Sequence, residues 1–439
     1  MATNPALVAH LYRRAGFGAS PAQLDELSQR KWPELVDELL AGLSGPDPAG
    51  DAVQLPHLTS VPESNVPGYN FNGWQEYQAL IGWWVERMVV TSTPLREKLT
   101  WMLHCQFPTS WVKVGWAYMM YVQNQLFRTL GPGSFETLTQ AAAKDPAMLI
   151  WLDTQTSHRD APNQNFAREL MERFTMGIGN YSQEDVIQAA RCFTGWELDM
   201  VSGEYFFNEF DNDNGIKFFL GRSGRFTGED VVSIVTHEPA SHRWVISRLW
   251  SWLAYPVGPS APIVQDFVHG YAKDLNITNL LEAMLNHPAF VSPEAVHGLV
   301  KQPVEFLVGA LRGLGLNTAP ISDNLTYLLG NVGQVPFTPP SVGGWGWNEY
   351  WQSTGTAAGY MQLAGTLAQV ADMTALEDND GHPAAQVQAA LRLVGLGEAS
   401  HQTVAALTTL ATWVKSSSGA WPAQQIVSLA LLSPEFAMN

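Results

Sequence analysis

Residues 94–108 read PLREKLTWMLHCQFP and carry the pattern that decides the fold. Thr93 and Pro94 provide the cap and the first-turn proline of a helix. The apolar face of this helix is formed by Leu95, Leu99, Met102 and Leu103. Pro108 disfavours helical geometry at Phe107, so the helix should end there. The stretch therefore predicts a capped amphipathic helix.

The same helical punctuation recurs along most of the chain. Phe166, Leu170 and Phe174 repeat every fourth residue before Gly177, which predicts a helix over 163–176. Ser182 and Asp185 resemble a capping box at the start of the next helix. Helical periodicity is also found at 21–27, 33–40, 74–90, 229–250, 261–273, 278–286, 301–314 and 385–437.

One segment, residues 197–220, has the character of a β-hairpin, because aromatic residues alternate with turn formers at Ser202–Gly203 and Asp211–Gly215. Residues 43–73 form a long loop, and residues 332–358 are irregular and rich in Gly, Pro and Trp. The predicted fold is all-α, an orthogonal or bundle-like array of many helices with one small β-hairpin insertion.

The helical pattern also predicts the domain organisation. Residues 1–374 should form a helical core that contains the hairpin near 197–220. A polar linker should occupy 375–384, and a C-terminal helical segment, 385–439, should pack on the core.

The composition limits the classes of partner. Lys plus Arg is 24 and Asp plus Glu is 41, so the net charge of −17 would repel a nucleic-acid backbone or an anionic lipid surface. No apolar run is long enough to cross a bilayer. With 46% hydrophobic and 15% charged residues, the chain is expected to be a folded, soluble protein. Seventeen Trp and twelve Tyr also offer flat rings on which a sugar could stack, although most should lie in the core.

The two cysteines and the chain start bear on the compartment. Cys105 and Cys192 fit neither a disulfide framework nor a zinc-ligand spacing. They are interpreted as buried thiols, and a single disulfide between them is the alternative. The start of the sequence has no basic head followed by an apolar stretch. Two interpretations remain, a cytoplasmic protein or a mature exported domain without its leader.

Polar residues at helix ends are the first candidates for chemistry. His104 lies near the end of the helix that begins at Pro94. A structural role is the alternative to a role as a metal ligand or a base. Arg168 and Glu172 are one turn apart and would pair as surface charges. Glu169 lies about 100° round the helix from Arg168, and if that face points inward it becomes a candidate acid or base.

Two loops are further candidates. The run Asp211–Gly215 could hold a hard cation, but Arg222 occupies the position where a calcium loop needs Glu, and an Asx-rich turn is the alternative. Residues 339–347 contain glycines that let the backbone approach a ligand, and Trp345 and Trp347 could stack on it. The alternative is a packing loop. The motifs GxSxG, GxxxxGK[ST], HExxH and GxGxxG are missing from the sequence.

With these segments in place, the chain resembles the bacterial family known as domain of unknown function 1800. The resemblance covers nearly the whole length and rests on residues 10–18, 94–98, 163–177, 180–181 with 185, 194–196, 215–221, 301–306, 339–345 and 432–436. Members of this family are often exported, so the resemblance favours a leaderless mature domain.

The departures from the family pattern carry the functional hypothesis. The resemblance implies His where Gln106 stands, Glu between Asn163 and Asn165 where Gln164 stands, and His before Asp213 where Asn212 stands. Two imidazoles and a carboxylate would bind a divalent metal or move protons. The replacements keep hydrogen-bonding shape and lose the ionisable group, so a metal ligand set would be incomplete.

The leading hypothesis is a hydrolase-like or metal-dependent centre that is degenerate in this chain. His104 would be the residual base or ligand, Glu169 the acid or the group that orients it, Arg168 an anion-pairing group, Gln164 the altered acid and Asp213 a metal ligand. Further binding contacts would come from Gln106, Asn163, Asn165 and Asn212. The rival hypothesis is a non-catalytic binding or assembly protein, in which Trp345, Trp347 and the 43–73 loop recognise a glycan or a protein partner.

Overall fold

The computed structural model describes residues 3–66, 71–397, 399–416 and 422–439. Residues 67–70, within the predicted 43–73 loop, and 417–421, within the predicted C-terminal helical segment, lie outside the described residues, as do 1–2 and 398. Cys105 and Cys192 are both buried free thiols. No helix in the described ranges is long and apolar enough to cross a bilayer.

The first third of the chain is a set of helices, several of which begin at a proline behind a polar cap. They are α1 (Pro5–Arg14), α2 (Pro21–Leu27), α3 (Trp32–Ala41), α4 (Pro48–Asp51), α5 (Val61–Ser64), α6 (Gly73–Val90), α7 (Pro94–Gln106), α8 (Trp111–Val114), α9 (Ala117–Leu130), α10 (Phe135–Ala143) and α11 (Pro146–Trp151). The helix predicted over 94–107 is α7. The predicted 43–73 loop contains two short helices, α4 and α5.

The middle of the chain holds an irregular helix and the strands. Helix α12 (Asn165–Glu169) continues as a π-helix (Leu170–Thr175), and α13 (Gln183–Cys192) follows. The capping box is confirmed, since Asp185 N–H donates to Ser182 Oγ and Ser182 N–H donates to Asp185 Oδ2. The strands of the described ranges form two antiparallel hairpins, β1 (Trp196–Asp199) with β2 (Glu204–Phe207) and β3 (Lys217–Phe219) with β4 (Arg222–Gly224).

The remainder is again helical. It comprises α14 (Gly228–His237), α15 (Pro239–Leu253), α16 (Pro262–Tyr271), α17 (Ile277–Leu285), α18 (Pro303–Leu314), α19 (Leu325–Val332), α20 (Thr354–Val370), α21 (Thr374–Glu377), α22 (Pro383–Leu393), α23 (His401–Ser416), α24 (Pro422–Leu431) and α25 (Pro434–Ala437). Short 3-10 helices occur at Thr154–Thr156, Glu209–Asp211, Pro288–Val291, Ala319–Asn324 and Asn348–Gln352.

The packing places α7 at the centre, against α6 and α9, while α18 packs on α6. Glu97 of α7 joins these helices, because its buried carboxylate accepts hydrogen bonds from Arg87 and Trp84 of α6 and from Arg128 of α9. The predicted fold class is confirmed: the chain is mainly helical with a small β insertion, and that insertion contains a second hairpin beyond the predicted one.

The C-terminal helices α22, α23 and α24 pack on one another, and α24 also packs on α20. The predicted linker 375–384 contains most of α21 and the start of α22, and Leu376 within it is buried. The division into a core, a linker and a C-terminal segment stays a prediction.

Candidate functional site

His104 lies inside an aromatic enclosure near the end of α7. Its side chain is buried among the rings of Trp84, Trp101, Phe337 and Trp345, whose centroids lie 5.3–5.9 Å from the imidazole. The backbone N–H of Phe337 donates to its Nε2 over 3.1 Å. Burial lowers the pKa of His104 to about 3. The imidazole is therefore neutral, and its Nε2, one of the two nitrogens that could bind a metal, already accepts a hydrogen bond.

Gln106, the last residue of α7, connects that helix to the π-helix. Its Nε2 donates to the carbonyl oxygens of Arg173 at 3.0 Å and Phe174 at 2.9 Å. Its Oε1 accepts from Nε of Arg248 at 3.2 Å. The amide thus satisfies two carbonyl acceptors and one N–H donor at once, and it fixes the guanidinium of Arg248 relative to the end of α7.

Arg248, on α15, is a cation without a carboxylate partner in the described part of the chain. Its guanidinium carbon lies 4.2 Å from the ring centroid of Trp347, and Trp252 packs edge-on to the same indole at 4.6 Å. Burial lowers the pKa of Arg248 to about 10, so the group remains charged near pH 7. Its hydrogen bond to Gln106 leaves the terminal N–H groups available to a ligand.

A pocket that is partly open to solvent adjoins this pair. Its exposed wall is almost entirely apolar and includes Met102, Leu103, Val245, Leu249 and Trp252, while Gln106 and Arg248 border it. We call this group of residues the Arg248 pocket. A fixed cation at its edge adjoins an apolar wall.

Glu169 closes α12 just before the π-helix. Its side chain is 15% exposed, and its Oε2 forms no hydrogen bond with any described residue, although Nε of Arg173 lies 3.9 Å away. Glu172 is paired with Arg173 at 3.3 Å and accepts the hydroxyl of Tyr181 at 3.1 Å. Burial, followed by the charge of Glu172, raises the pKa of Glu169. The candidate role of Glu169 was conditional on an inward-facing side chain; the residue is partly buried with Oε2 enclosed, and its role stays a prediction.

Gln164 and Arg168 form a polar cluster with the beginning of α13. Gln183 Nε2 donates to Gln164 Oε1 at 2.9 Å, and Arg168 Nη2 donates to Gln183 Oε1 at 3.0 Å. The expected pairing of Arg168 with Glu172 was wrong for the described residues, where Glu172 pairs with Arg173. The π-helix, which starts at residue 170, is wider than an α-helix and breaks the one-turn spacing that the pairing assumed.

Asn163 and Asn165 gather around Asp153. Asn165 Nδ2 donates to the Asp153 carboxylate at 3.2 Å, and Asn163 Nδ2 donates to the Asp153 carbonyl at 3.4 Å. Lys113 binds the other carboxylate oxygen at 2.7 Å. Asp153 has a φ of +59°, a left-handed geometry that few residue types adopt without such bonds.

Asn212 and Asp213 lie at the far end of α13. Asn212 Nδ2 donates to the carbonyl of Thr194 at 2.8 Å, and Arg191 Nε donates to the Asp213 carboxylate at 2.6 Å. Burial opposes ionisation, but the bond from Arg191 holds the pKa of Asp213 below its ordinary value. Arg191 follows Gln183 by eight residues, about 12 Å along a helix, so Gln164 and Asp213 contact opposite ends of α13.

The residues proposed as a metal centre do not fit a divalent ion as they stand. His104 Nε2 is occupied by a backbone donor, Gln164 by Gln183, and the Asp213 carboxylate by Arg191. Throughout the described ranges, no three His, Cys, Asp or Glu side chains are grouped so that they could hold an ion.

A family model described as "Protein of unknown function (DUF1800)" matches residues 10–438. The chain belongs to the DUF1800 family. No curated protein and no solved structure matches the chain. The match confirms the resemblance seen in the sequence, but the description of the family provides no activity.

The two tryptophans predicted to recognise a ligand differ in this DUF1800 protein. Trp345 is 4% exposed and stacks on Trp101 with centroids 5.5 Å apart. Trp347 is only partly buried and contacts Arg248. In the 43–73 loop, Phe71 stacks on Trp116. Of the aromatic residues predicted to form a recognition surface, Trp347 is the one that contacts Arg248.

Arg248 was missed by sequence reasoning. The α15 sequence PASHRWVISRLWSWL spaces Trp244, Arg248 and Trp252 four residues apart, which places them on one helix face. A cation between two tryptophans at helical spacing could have marked this face. Its contacts with Gln106 and Trp347 are long-range and appear only in the fold.

Proposed function

We propose that this DUF1800 protein binds a small organic anion with an apolar body in the Arg248 pocket. The observation that carries the proposal is the guanidinium of Arg248, which is held by Gln106 and Trp347 and faces no carboxylate among the described residues. Buried charges in proteins are usually paired, and a planar guanidinium suits a carboxylate in particular. The apolar walls would then take up the rest of the ligand.

The geometry supports this class of ligand in two ways. Stacking on Trp347 and the bond to Gln106 fix the guanidinium before a ligand arrives, so less entropy is lost on binding. The apolar walls would add about 25 cal/mol for each Å² of ligand surface that they cover. A ligand that has only a charged group, or only an apolar chain, would contact only part of the pocket.

Sodium octanoate is a suitable probe. The comparison ligands are 1-octanol, which is neutral, and octylammonium, which is cationic; both have the same chain length. Titration of the full chain by calorimetry should show octanoate binding at least about tenfold more tightly than octanol, roughly 1.4 kcal/mol. Arg248→Met should remove this preference and leave octanol binding unchanged, because methionine keeps an apolar side chain of similar length.

Arg243→Met is the matched control. Arg243 is on the same helix, forms no hydrogen bond or ion pair within the described residues, and gives the same change in net charge. The proposal fails if octanoate binds no better than octanol, or if the two arginine variants lose octanoate affinity equally.

A second candidate function, acid–base catalysis of a hydrolytic type, is favoured by Glu169. Its Oε2 lacks a hydrogen-bond partner in the described chain, its pKa is raised by burial, and it adjoins a π-helix, an element often found at functional sites. In this function Glu169 would be the acid, and Arg173 would orient it.

A further inference from the structure

A second group of cations lies where α1 ends. Arg14 is fully buried and donates from Nη2 to the carbonyl of Ala295, while its Nε and Nη1 have no hydrogen-bond partner in the described residues. The neighbouring Arg13 also has a buried Nε without a partner in those ranges. Both neighbouring guanidinium groups therefore leave buried donors unused, although Arg13 is only partly buried.

Lys301, which lies just before α18, joins this group from the other side. It is 4% exposed, and its Nζ lies 3.8 Å from the ring centroid of Phe436. Across the part of the chain that the structure describes, Nζ forms no hydrogen bond and no ion pair. Contact with an aromatic ring compensates only a small part of the hydration that a buried ammonium loses.

The acids nearest to these cations are already engaged. Glu305 pairs with the buried Lys98, and its Oε2 accepts from the Gln302 N–H and the Asn439 side chain, both at 3.2 Å. Glu435 accepts from Ser400 N–H and from the Thr403 hydroxyl, both at 2.8 Å. Arg13, Arg14 and Lys301 thus lack a free acid nearby among the described residues, and burial, followed by the charge of Arg13, lowers the pKa of Lys301 well below its ordinary value.

The nearby histidines add no negative charge, and their lowered pKa values reflect the positive charges around them. Burial and then the charge of Arg14 lower the pKa of His10 to about 3. Burial and then the charge of Arg13 lower the pKa of His297 to about 4. Both rings are neutral near pH 7 and carry no charge that could offset Arg13 and Arg14.

A small cavity that is partly open to solvent reaches Arg13 and Lys301 together. Phe17, Gly18 and Gly309 contribute to its wall. A Cβ on Gly309 would come within 2.9 Å of the Phe17 carbonyl oxygen and 3.9 Å of Lys301 Nζ, so glycine keeps this corner open. We call it the Arg13–Lys301 cavity. It shares no lining residue with the Arg248 pocket.

We propose that the Arg13–Lys301 cavity is a binding site for a small oxyanion, either inorganic phosphate or the phosphate group of a larger ligand. A guanidinium and a lysine amine on one cavity wall provide the directed donors that phosphate binding uses, and an anion bound beside the amine would favour its protonated form. A bound oxyanion would also compensate the buried charge that the described acids leave unpaired. Three stretches on which the family resemblance rests, 10–18, 301–306 and 432–436, meet at this cavity.

Calorimetric titration of the full chain with sodium phosphate, against sodium chloride of matched ionic strength, tests the site. We expect saturable binding of one phosphate for each chain, weakened at least tenfold in Lys301→Met and in Arg13→Met. Phenyl phosphate in a parallel titration separates the two sources: binding of both ligands indicates a phosphate group on a larger molecule, and binding of phosphate alone indicates the free ion.

Lys31→Met controls for the loss of one positive charge, because Lys31 is 66% exposed on its side chain. Arg248→Met should keep phosphate binding, and Lys301→Met should keep octanoate binding, so this site and the Arg248 pocket can fail separately. If a variant does not fold, a phosphate-dependent rise in the melting temperature of the natural protein, absent with chloride, still tests the site. Lack of saturable phosphate binding by the natural protein would overturn the proposal, and so would equal binding by the folded Lys301→Met variant.

Discussion

At the scale of single residues, the hydrogen bonds that a side chain can form explain why glutamine suits position 106, where the family resemblance implied histidine. Gln106 donates to two carbonyl oxygens and accepts from Arg248 at the same time, which an imidazole with two ring nitrogens cannot do. Its neutral amide therefore has a structural task of its own. From the sequence, an inward orientation of Glu169 was only a condition of its role. The bond from Arg191 to Asp213 and the aromatic rings around His104 are long-range contacts that the sequence could not show.

Glu169→Gln tests the environment of that carboxyl group. Because the folded protein raises the pKa of Glu169, it holds this proton more tightly than the unfolded chain does. The stability of the natural protein should fall as the pH rises through that pKa, and the glutamine variant should escape this loss. Urea unfolding should show the variant to be the more stable protein at about pH 8, with the difference shrinking toward about pH 4.

The same variant tests the acid–base function. If Glu169 is the acid, hydrolysis of 4-nitrophenyl esters or glycosides by the natural protein should drop on the order of 100-fold in Glu169→Gln, while octanoate binding persists. Glu184→Gln, an exposed position on α13, is the control for both measurements. Equal rates in the natural protein and Glu169→Gln, or no rate in the natural protein, would rule out this second function.

At the scale of elements, local signals predicted helices well and their irregularities poorly. The first-turn proline of α7 and the Ser182 capping box are set by neighbouring residues, so the sequence shows them directly. The spacing of Phe166, Leu170 and Phe174 fits an α-helix, yet the turn after Glu169 is a π-helix. Its terminal carbonyls are bonded by Gln106 and Trp244, which are distant in sequence, so no local pattern could indicate it.

The junction of α6, α7 and α9 depends on one carboxylate. Burial alone would raise the pKa of Glu97, but the charges of Arg128 and Arg87 lower it, so the group is ionised between them. Glu97→Gln would leave two buried guanidinium groups without their anion, at a cost of about 3–5 kcal/mol in the free energy of unfolding. Urea unfolding followed by circular dichroism measures this loss.

Glu34→Gln, with a side chain half exposed at 50%, should change stability far less and serves as the control. A loss below about 1 kcal/mol in Glu97→Gln would show that this junction does not depend on the buried ion pairs.

At the scale of the whole molecule, the net charge does not describe the interior, which holds buried bases as well as buried acids such as Glu97 and Asp145. The net charge of −17 predicts repulsion of extended polyanions, and that expectation concerns the outer surface. Inside, Arg14, Lys98 and Lys301 are almost fully buried, and Arg248 is partly buried. A composition total cannot reveal this arrangement, because it depends on which helices face one another. Small anions that enter a pocket would meet local positive charge that the total conceals.

The most direct test of the Arg248 pocket is a crystal structure of the full chain grown with 8-bromooctanoate, using anomalous scattering to locate the bromine. The account predicts the bromine among Met102, Val245 and Leu249, with the carboxylate at hydrogen-bond distance, about 3 Å, from the guanidinium of Arg248. Bromine found only elsewhere, or a carboxylate that pairs with a surface lysine while this pocket holds no ligand, would contradict it.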